Sequence, residues 1–251
     1  MNDSNEPRPY LLGAGLSADL EPALARVQHA LELPDARAFA ADLRHREFPG
    51  SDFVGPYEAA GIAIGVYQEQ WLWQHRQLIR GNVLDMSSVR HWNAFVHELP
   101  AVERVLIGDL DQPTVEKLGH SSPVDVIGDF CATPPPLPSA SLDTVLCLSV
   151  LEHCADPFAM TRNLASCLRP GGHLLTMTPF AYVDGHLRPD NWRFCQNGYR
   201  VLAKQAGLTA LATGQCGELG KYALFEVGRS FAPDGDRHGV PIANWLLARR
   251  D

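Results

Sequence analysis

Apolar positions in the first 80 residues recur at helical spacing. Asp19 can cap a helix carrying Leu20, Leu24, Val27 and Leu31, and Pro34 with Asp35 opens a second one carrying Phe39 and Leu43. Tyr57, Ala60, Ile64, Tyr67, Trp71 and Leu78 mark one face of a longer helix, in which Gly61 and Gly65 each cost about 1 kcal/mol relative to Ala. From Asn82 the pattern changes to short apolar runs alternating with helical stretches, which predicts βαβ units and a mostly parallel sheet. Strands are expected at Asn82 to Asp85, Glu103 to Gly108, Val124 to Gly128, Leu142 to Ser149, His173 to Thr178, Leu208 to Gly214 and Ile242 to Ala248. Helices are expected at His91 to Leu99, Thr114 to Leu118, Pro157 to Leu168 and Asn197 to Ala206, the last stopping on Gly207. Thr133 to Ser141 contains four prolines and reads as a loop. The expected architecture is one α/β domain over residues 81–251, preceded by a helical extension or lid over residues 1–80.

Composition narrows the function classes. The 251 residues are 45% hydrophobic and 20% charged, an ordinary globular balance. The net charge of -8, with no basic run, argues against duplex nucleic acid as a partner. No apolar run approaches the 18 or so residues of a membrane span. Six scattered cysteines without a Cys-x-x-Cys pair fit a reducing, cytoplasmic setting.

In an open parallel sheet, ligands bind beyond the carboxyl ends of the strands. Here those ends carry Asp85, Asp109 with Leu110, Asp129 with Phe130, and Ser149 to His153. Asp109 follows Asp85 by 24 residues, near the spacing at which an acid after the second strand accepts from ribose hydroxyls. An adenosine-containing cofactor is the expectation. For any single one of these acids, a helix cap or turn is an equal alternative.

The stretches VDVIGDF, SLDTVLCLSVLEHCADP and CLRPGGHLLTMTPF, spanning Val124 to Phe180, resemble the class I S-adenosylmethionine-dependent methyltransferases of the small-molecule type. That resemblance implies a Rossmann-like, seven-stranded sheet with helices on both faces and its last strand antiparallel. It also implies S-adenosyl-L-methionine as cofactor. Asp109 would hold the ribose hydroxyls, Asp129 and the Phe130 backbone the adenine edge, and Ser149, Val150 and Leu151 the floor beneath the sulfonium. Pro170, Gly171 and Gly172 would form the turn into the fifth strand. Members of this family carry a glycine-rich loop after the first strand, whereas this chain continues Met86, Ser87, Ser88, Val89, Arg90 without one. Ser87 and Ser88 offer amide and hydroxyl donors there, but their Cβ atoms occupy space that glycine leaves open. A dinucleotide-using oxidoreductase needs a glycine-rich turn more directly and lacks the LEH and PGG elements.

Two regions could face the acceptor. His153 of the LEH run has a side chain suited to proton transfer near neutral pH. The segment after the fifth strand holds Tyr182, His186, Asp190, Trp192 and Arg193, and resembles an H-x-x-P-x-D-x-W-R-F stretch of members with sugar-modifying functions. His186 as base, oriented by Asp190, with Tyr182, Trp192 and Arg193 on the substrate, is one reading. In the other, Asp190 pairs with Arg193 while Trp192 and Phe194 pack as core. No metal-ligand signature is expected from this loop. The chain is thus expected to be a methyltransferase acting on an oxygen or nitrogen of a small molecule, a sugar or sugar-bearing metabolite among them, and compatible with a homo-oligomer. The alternative is a methyltransferase-like binding subunit without turnover.

Overall fold

The computed structural model describes Ile64, Gln68 and residues 71–86, 94–110, 124–180, 190–218 and 241–251. Seven strands form one sheet: β1 (Gly81–Asp85), β2 (Val102–Asp109), β3 (Val126–Ile127), β4 (Leu142–Leu148), β5 (Leu168–Pro179), β6 (Leu208–Glu218) and β7 (Pro241–Arg250). Their order is β3-β2-β1-β4-β5-β7-β6. β1 to β5 pair in parallel, and β7 runs antiparallel between β5 and β6. All seven expected strands are present, and the sheet has the expected direction reversal at its last strand.

The strands are apolar on both faces because both faces are covered. Val145, Cys147, Leu174, Leu246 and Ala248 join one core with α1 (Pro157–Cys167) and α2 (Gln196–Gln205). Their neighbours Leu146, Leu148, Leu175, Met177 and Leu247 join a second core with Ile64, Trp71, Leu72, Ile79, Phe95 and Val96. Successive strand residues thus face opposite layers, and each fully buried Leu contributes about 1.5–3 kcal/mol. On that second face, Trp71 packs on Trp245 of β7 with ring centroids 5.4 Å apart.

Local chemistry sets the helix ends. Asp156 caps α1 by accepting from the Ala159 N–H at 2.9 Å, with Pro157 in the first turn. Beyond α2, Gly207 has a φ of 71°, the left-handed geometry of a helix stop. Pro170, Gly171 and Gly172 do not precede the fifth strand as a separate turn. They lie within β5, where Leu142 pairs with Leu168 and Thr144 already with His173, so three extra residues bulge outward. Gly171, with a φ of 79°, makes that bulge without side-chain strain. The expected helix at His91 to Leu99 is a short 3-10 turn, Ala94–Glu98, where it is described. The one expected at Thr114 to Leu118 lies outside the described residues, as do most of residues 1–70. Among the described residues, no helix is long and apolar enough to cross a membrane.

Candidate functional site at the carboxyl ends of the strands

The strand order reverses between β1 and β4, and such a switch point leaves a crevice at the carboxyl ends. Asp85 ends β1, pairs in register with Ile107 of β2 and Leu146 of β4, and is 2% exposed. Asp109 ends β2 and is also buried; its Oδ1 accepts the Leu110 N–H at 2.6 Å, and its carbonyl accepts the Gly128 N–H at 3.0 Å. Leu110 and Ile127 stand beside it as exposed apolar side chains. Carboxylates at the rim of an apolar patch match the two halves of a nucleoside, hydroxyl-bearing ribose and flat base.

The loop after β3 is held from within and from behind. Asp129 Oδ1 accepts the Cys131 N–H at 2.8 Å. Asn163, on α1, donates through its amide to the carbonyls of Phe130 at 2.8 Å and Ala132 at 2.7 Å. The Phe130 ring is part of the core. Asn163 was not singled out in the sequence, although a polar side chain between Met160 and Leu164 of an otherwise apolar stripe is the signal that marks it.

β4 is followed by Ser149, whose φ is 53°, a left-handed conformation uncommon outside glycine. Its N–H donates to the Met177 carbonyl at 2.8 Å, and its Oγ accepts from Gln68 Nε2 at 2.8 Å. Val150 follows half-buried, its carbonyl accepting the His153 N–H.

Next comes the 3-10 turn Leu151–His153. Glu152 is buried, and neither carboxylate oxygen has a hydrogen-bond partner among the described residues. Burial first, and the charge of Asp190 second, push its pKa up to about 8, so it is protonated at neutral pH. The Glu152 carbonyl accepts the N–H groups of Asn191 and Trp192 at 2.7 and 3.1 Å. The Asn191 amide reaches the carbonyls of His153 and Cys154, and Trp192 Nε1 donates to the Cys154 carbonyl at 2.9 Å. Residues 190–194 are therefore fastened to the LEH turn by backbone groups.

Asp190 has a fully buried side chain, and both of its oxygens take the Arg193 guanidinium, at 2.7 and 2.5 Å. His153 Nδ1 lies 3.9 Å from Asp190 Oδ1, beyond hydrogen-bond distance, and Nε2 lies 3.7 Å from Glu152 Oε1. Trp192 stacks on Phe194, which stacks on Tyr199. Trp192 is 37% exposed, and Phe158 packs on it edge-on with ring centroids 6.4 Å apart. Ser87, Ser88, Tyr182 and His186 lie outside the described residues. Among the described residues, no three His, Cys, Asp or Glu side chains gather as a metal site.

Comparison with known proteins agrees with this geometry. Residues 90–176 match the methyltransferase domain family. A ubiquinone biosynthesis O-methyltransferase of Xanthomonas euvesicatoria is 43% identical over 64 residues, which is 24% of this chain and 25% of that protein. One of Marinobacter nauticus is 32% identical over 95 residues, 38% of this chain and 33% of its own. The matches thus span a quarter to a third of the curated relatives' length. Among solved structures, a SAM-dependent methyltransferase from Archaeoglobus fulgidus superposes with a TM-score of 0.53 at 16% identity, covering 74% of this chain and 94% of that one. The 1,6-didemethyltoxoflavin-N1-methyltransferase of Burkholderia thailandensis, solved with its substrate and S-adenosylhomocysteine, superposes at 0.51 and 18% identity, covering 95% and 93%.

The fold is that of the class I methyltransferases: seven strands, mostly parallel, with the last antiparallel between the fifth and sixth. Residues 90–176 thus carry the match to a methyltransferase domain, and the sequence that follows β1, Met86 to Asn93, contains no glycine.

Proposed function

We propose that this protein transfers a methyl group from S-adenosylmethionine to an oxygen or nitrogen of a small molecule. The observation that carries the reading is the placement of buried Asp85 and Asp109 and left-handed Ser149 around the switch point of a class I methyltransferase sheet. When bound, the cofactor supplies an electrophilic methyl on a sulfonium. Asp109 would accept from the ribose hydroxyls, Leu110 and the loop at Asp129 and Phe130 would face the adenine, and Ser149 with Val150 would line the floor. This donor set fits the group: carboxylates for hydroxyls and apolar side chains for a flat base.

The relatives named for O-methylation in ubiquinone biosynthesis favour oxygen as acceptor atom. A sugar hydroxyl is a second candidate, drawn from the sequence between His186 and Phe194. His153, at the LEH turn, and His186 are the candidate bases; positioning supplies most of the acceleration in an in-line displacement. Arg193 is engaged by Asp190, so its part in the site is to set the segment, while the exposed part of Trp192 is the candidate acceptor contact. Six free cysteines fit a cytoplasmic setting.

Incubation with methyl-labelled S-adenosylmethionine and panels of quinone-biosynthesis intermediates, sugars and amines tests the reading. Label transferred to a member of one panel identifies the acceptor class. Cofactor binding without transfer to any of them, or to compounds of a cell extract, would favour a binding subunit, a reading supported by the glycine-free loop after β1.

A further inference from the structure

Ile64, Gln68, Trp71 and Leu72 fall at i, i+4, i+7 and i+8, one stripe of a helix. Ile64, Trp71 and Leu72 are buried and apolar, and Gln68 is polar yet only 5% exposed. Such a side chain is costly on a buried stripe unless it is hydrogen-bonded. Gln68 is bonded across 81 residues of sequence, from Nε2 to Ser149 Oγ at 2.8 Å. Ser149 directly follows β4, and its left-handed backbone is one that a residue with a Cβ adopts only when its surroundings hold it. β5 holds the backbone through the Met177 carbonyl; the extension holds the hydroxyl.

We propose that Gln68 is a positioning residue of the cofactor site. Through Ser149 it fixes the turn after β4, making Gln68 and the buried side chains of Ile64, Trp71 and Leu72 a working wall of the site. The inference rests on the function proposed above. The support behind Gln68 is rigid: Leu72 and Ile79 are fully buried against the sheet, and Trp71 is wedged on Trp245. The bond also sets the polarity of the hydroxyl. An amide nitrogen can only donate, so Ser149 Oγ accepts from Gln68 and keeps its own hydrogen to donate to a bound ligand.

Titration calorimetry and stopped-flow dissociation with S-adenosylhomocysteine, on the full chain, test this. Gln68→Leu and Ser149→Ala should each weaken binding about three- to tenfold, mostly through faster dissociation, as for loss of one hydrogen bond. The double variant should be no more than about twofold weaker than the worse single one, because both substitutions remove the same bond. Gln68→Glu, whose carboxylate can only accept, takes the Ser149 hydroxyl hydrogen away from the ligand and should also weaken binding. Near-UV circular dichroism of the unliganded variants separates this from misfolding, and if Gln68→Leu does not fold, Ser149→Ala reads the bond from its other end. Parental affinity in both single variants, or fully additive losses, would overturn the inference alone. No binding by the unaltered protein would overturn the proposed function and this inference with it.

Discussion

Asp190 and Arg193, three residues apart, form a two-pronged ion pair in which the carboxylate is fully buried and the guanidinium is three-quarters buried. The pair shares its surroundings with Glu152, whose proton affinity is raised by Asp190 and lowered by Arg193. Removing one partner of a buried pair leaves an uncompensated charge, which costs more than the pair itself contributes. Arg193→Ala should therefore destabilise the protein by about 3 kcal/mol, whereas Asp190→Asn with Arg193→Met together should cost less than the sum of the two single changes. Urea denaturation of the parent, Arg193→Ala, the singles Asp190→Asn and Arg193→Met and their double variant checks this.

Glu152 gives the protein a pH signature. Its folded pKa of about 8 lies above the usual carboxylate value, so the folded state binds more protons than the unfolded one between about pH 4.5 and 8. Stability from this group is fully present below that window and is lost as pH rises through it. His173, whose pKa burial and the charges of Arg80 and Arg249 lower, acts in the opposite sense. Comparing parent with Glu152→Gln cancels the histidine. The melting temperature of the Gln variant should exceed that of the parent by a margin that grows from pH 5 to about 8 and then levels, reaching at least about 4 °C. A margin independent of pH would show that Glu152 titrates normally.

Gly214 faces Trp245 across the β6–β7 pair, and a Cβ there would lie 2.6 Å from the indole Cε2 and closer still to Cζ2. The ring cannot retreat, because Trp71 packs on it. Gly214→Ala should cost about 1–3 kcal/mol by overpacking and should loosen the seat of the N-terminal helical segment. Thermal denaturation gives the first effect. Faster proteolysis around residue 70 gives the second.

Asn163 supports the loop at Asp129 through its bonds to the carbonyls of Phe130 and Ala132. Asn163→Ala leaves both carbonyls without that donor and should cost about 1–3 kcal/mol. Asn163→Asp should be worse at neutral pH, since it sets a carboxylate against two carbonyls, and should recover part of the loss on acidification. Differential scanning fluorimetry across pH 5 to 8 distinguishes the two.

The sheet was legible because buried strands advertise themselves: VLCLSV and HLLTMT are apolar on both faces, and only a covered parallel sheet accepts that pattern. Asp109 and Ser149 stand out by position alone, the one ending β2 and the other following β4. Tertiary partners were harder. Gln68 and Asn163 are single polar positions on apolar helical stripes, and what they bond lies 81 residues away in one case and 33 and 31 in the other. The bulge at Pro170 to Gly172 was missed for a related reason: glycine and proline signal a turn, but not that the flanking residues still pair with β4. At residues 190–194 the sequence admitted both a substrate clamp and a packed ion pair. The choice depended on the LEH turn, whose carbonyls take the segment's N–H groups.

The proposed function requires the carboxyl ends of β1, β2 and β4 to hold an S-adenosyl ligand although Met86 to Asn93 contains no glycine. Titration calorimetry with S-adenosylhomocysteine, on the parent and on Asp109→Ala, tests it most directly. Micromolar binding by the parent, lost on removing the Asp109 carboxylate while the fold is retained, is the predicted result. No heat and no thermal shift at millimolar ligand, or binding indifferent to Asp109, would contradict it.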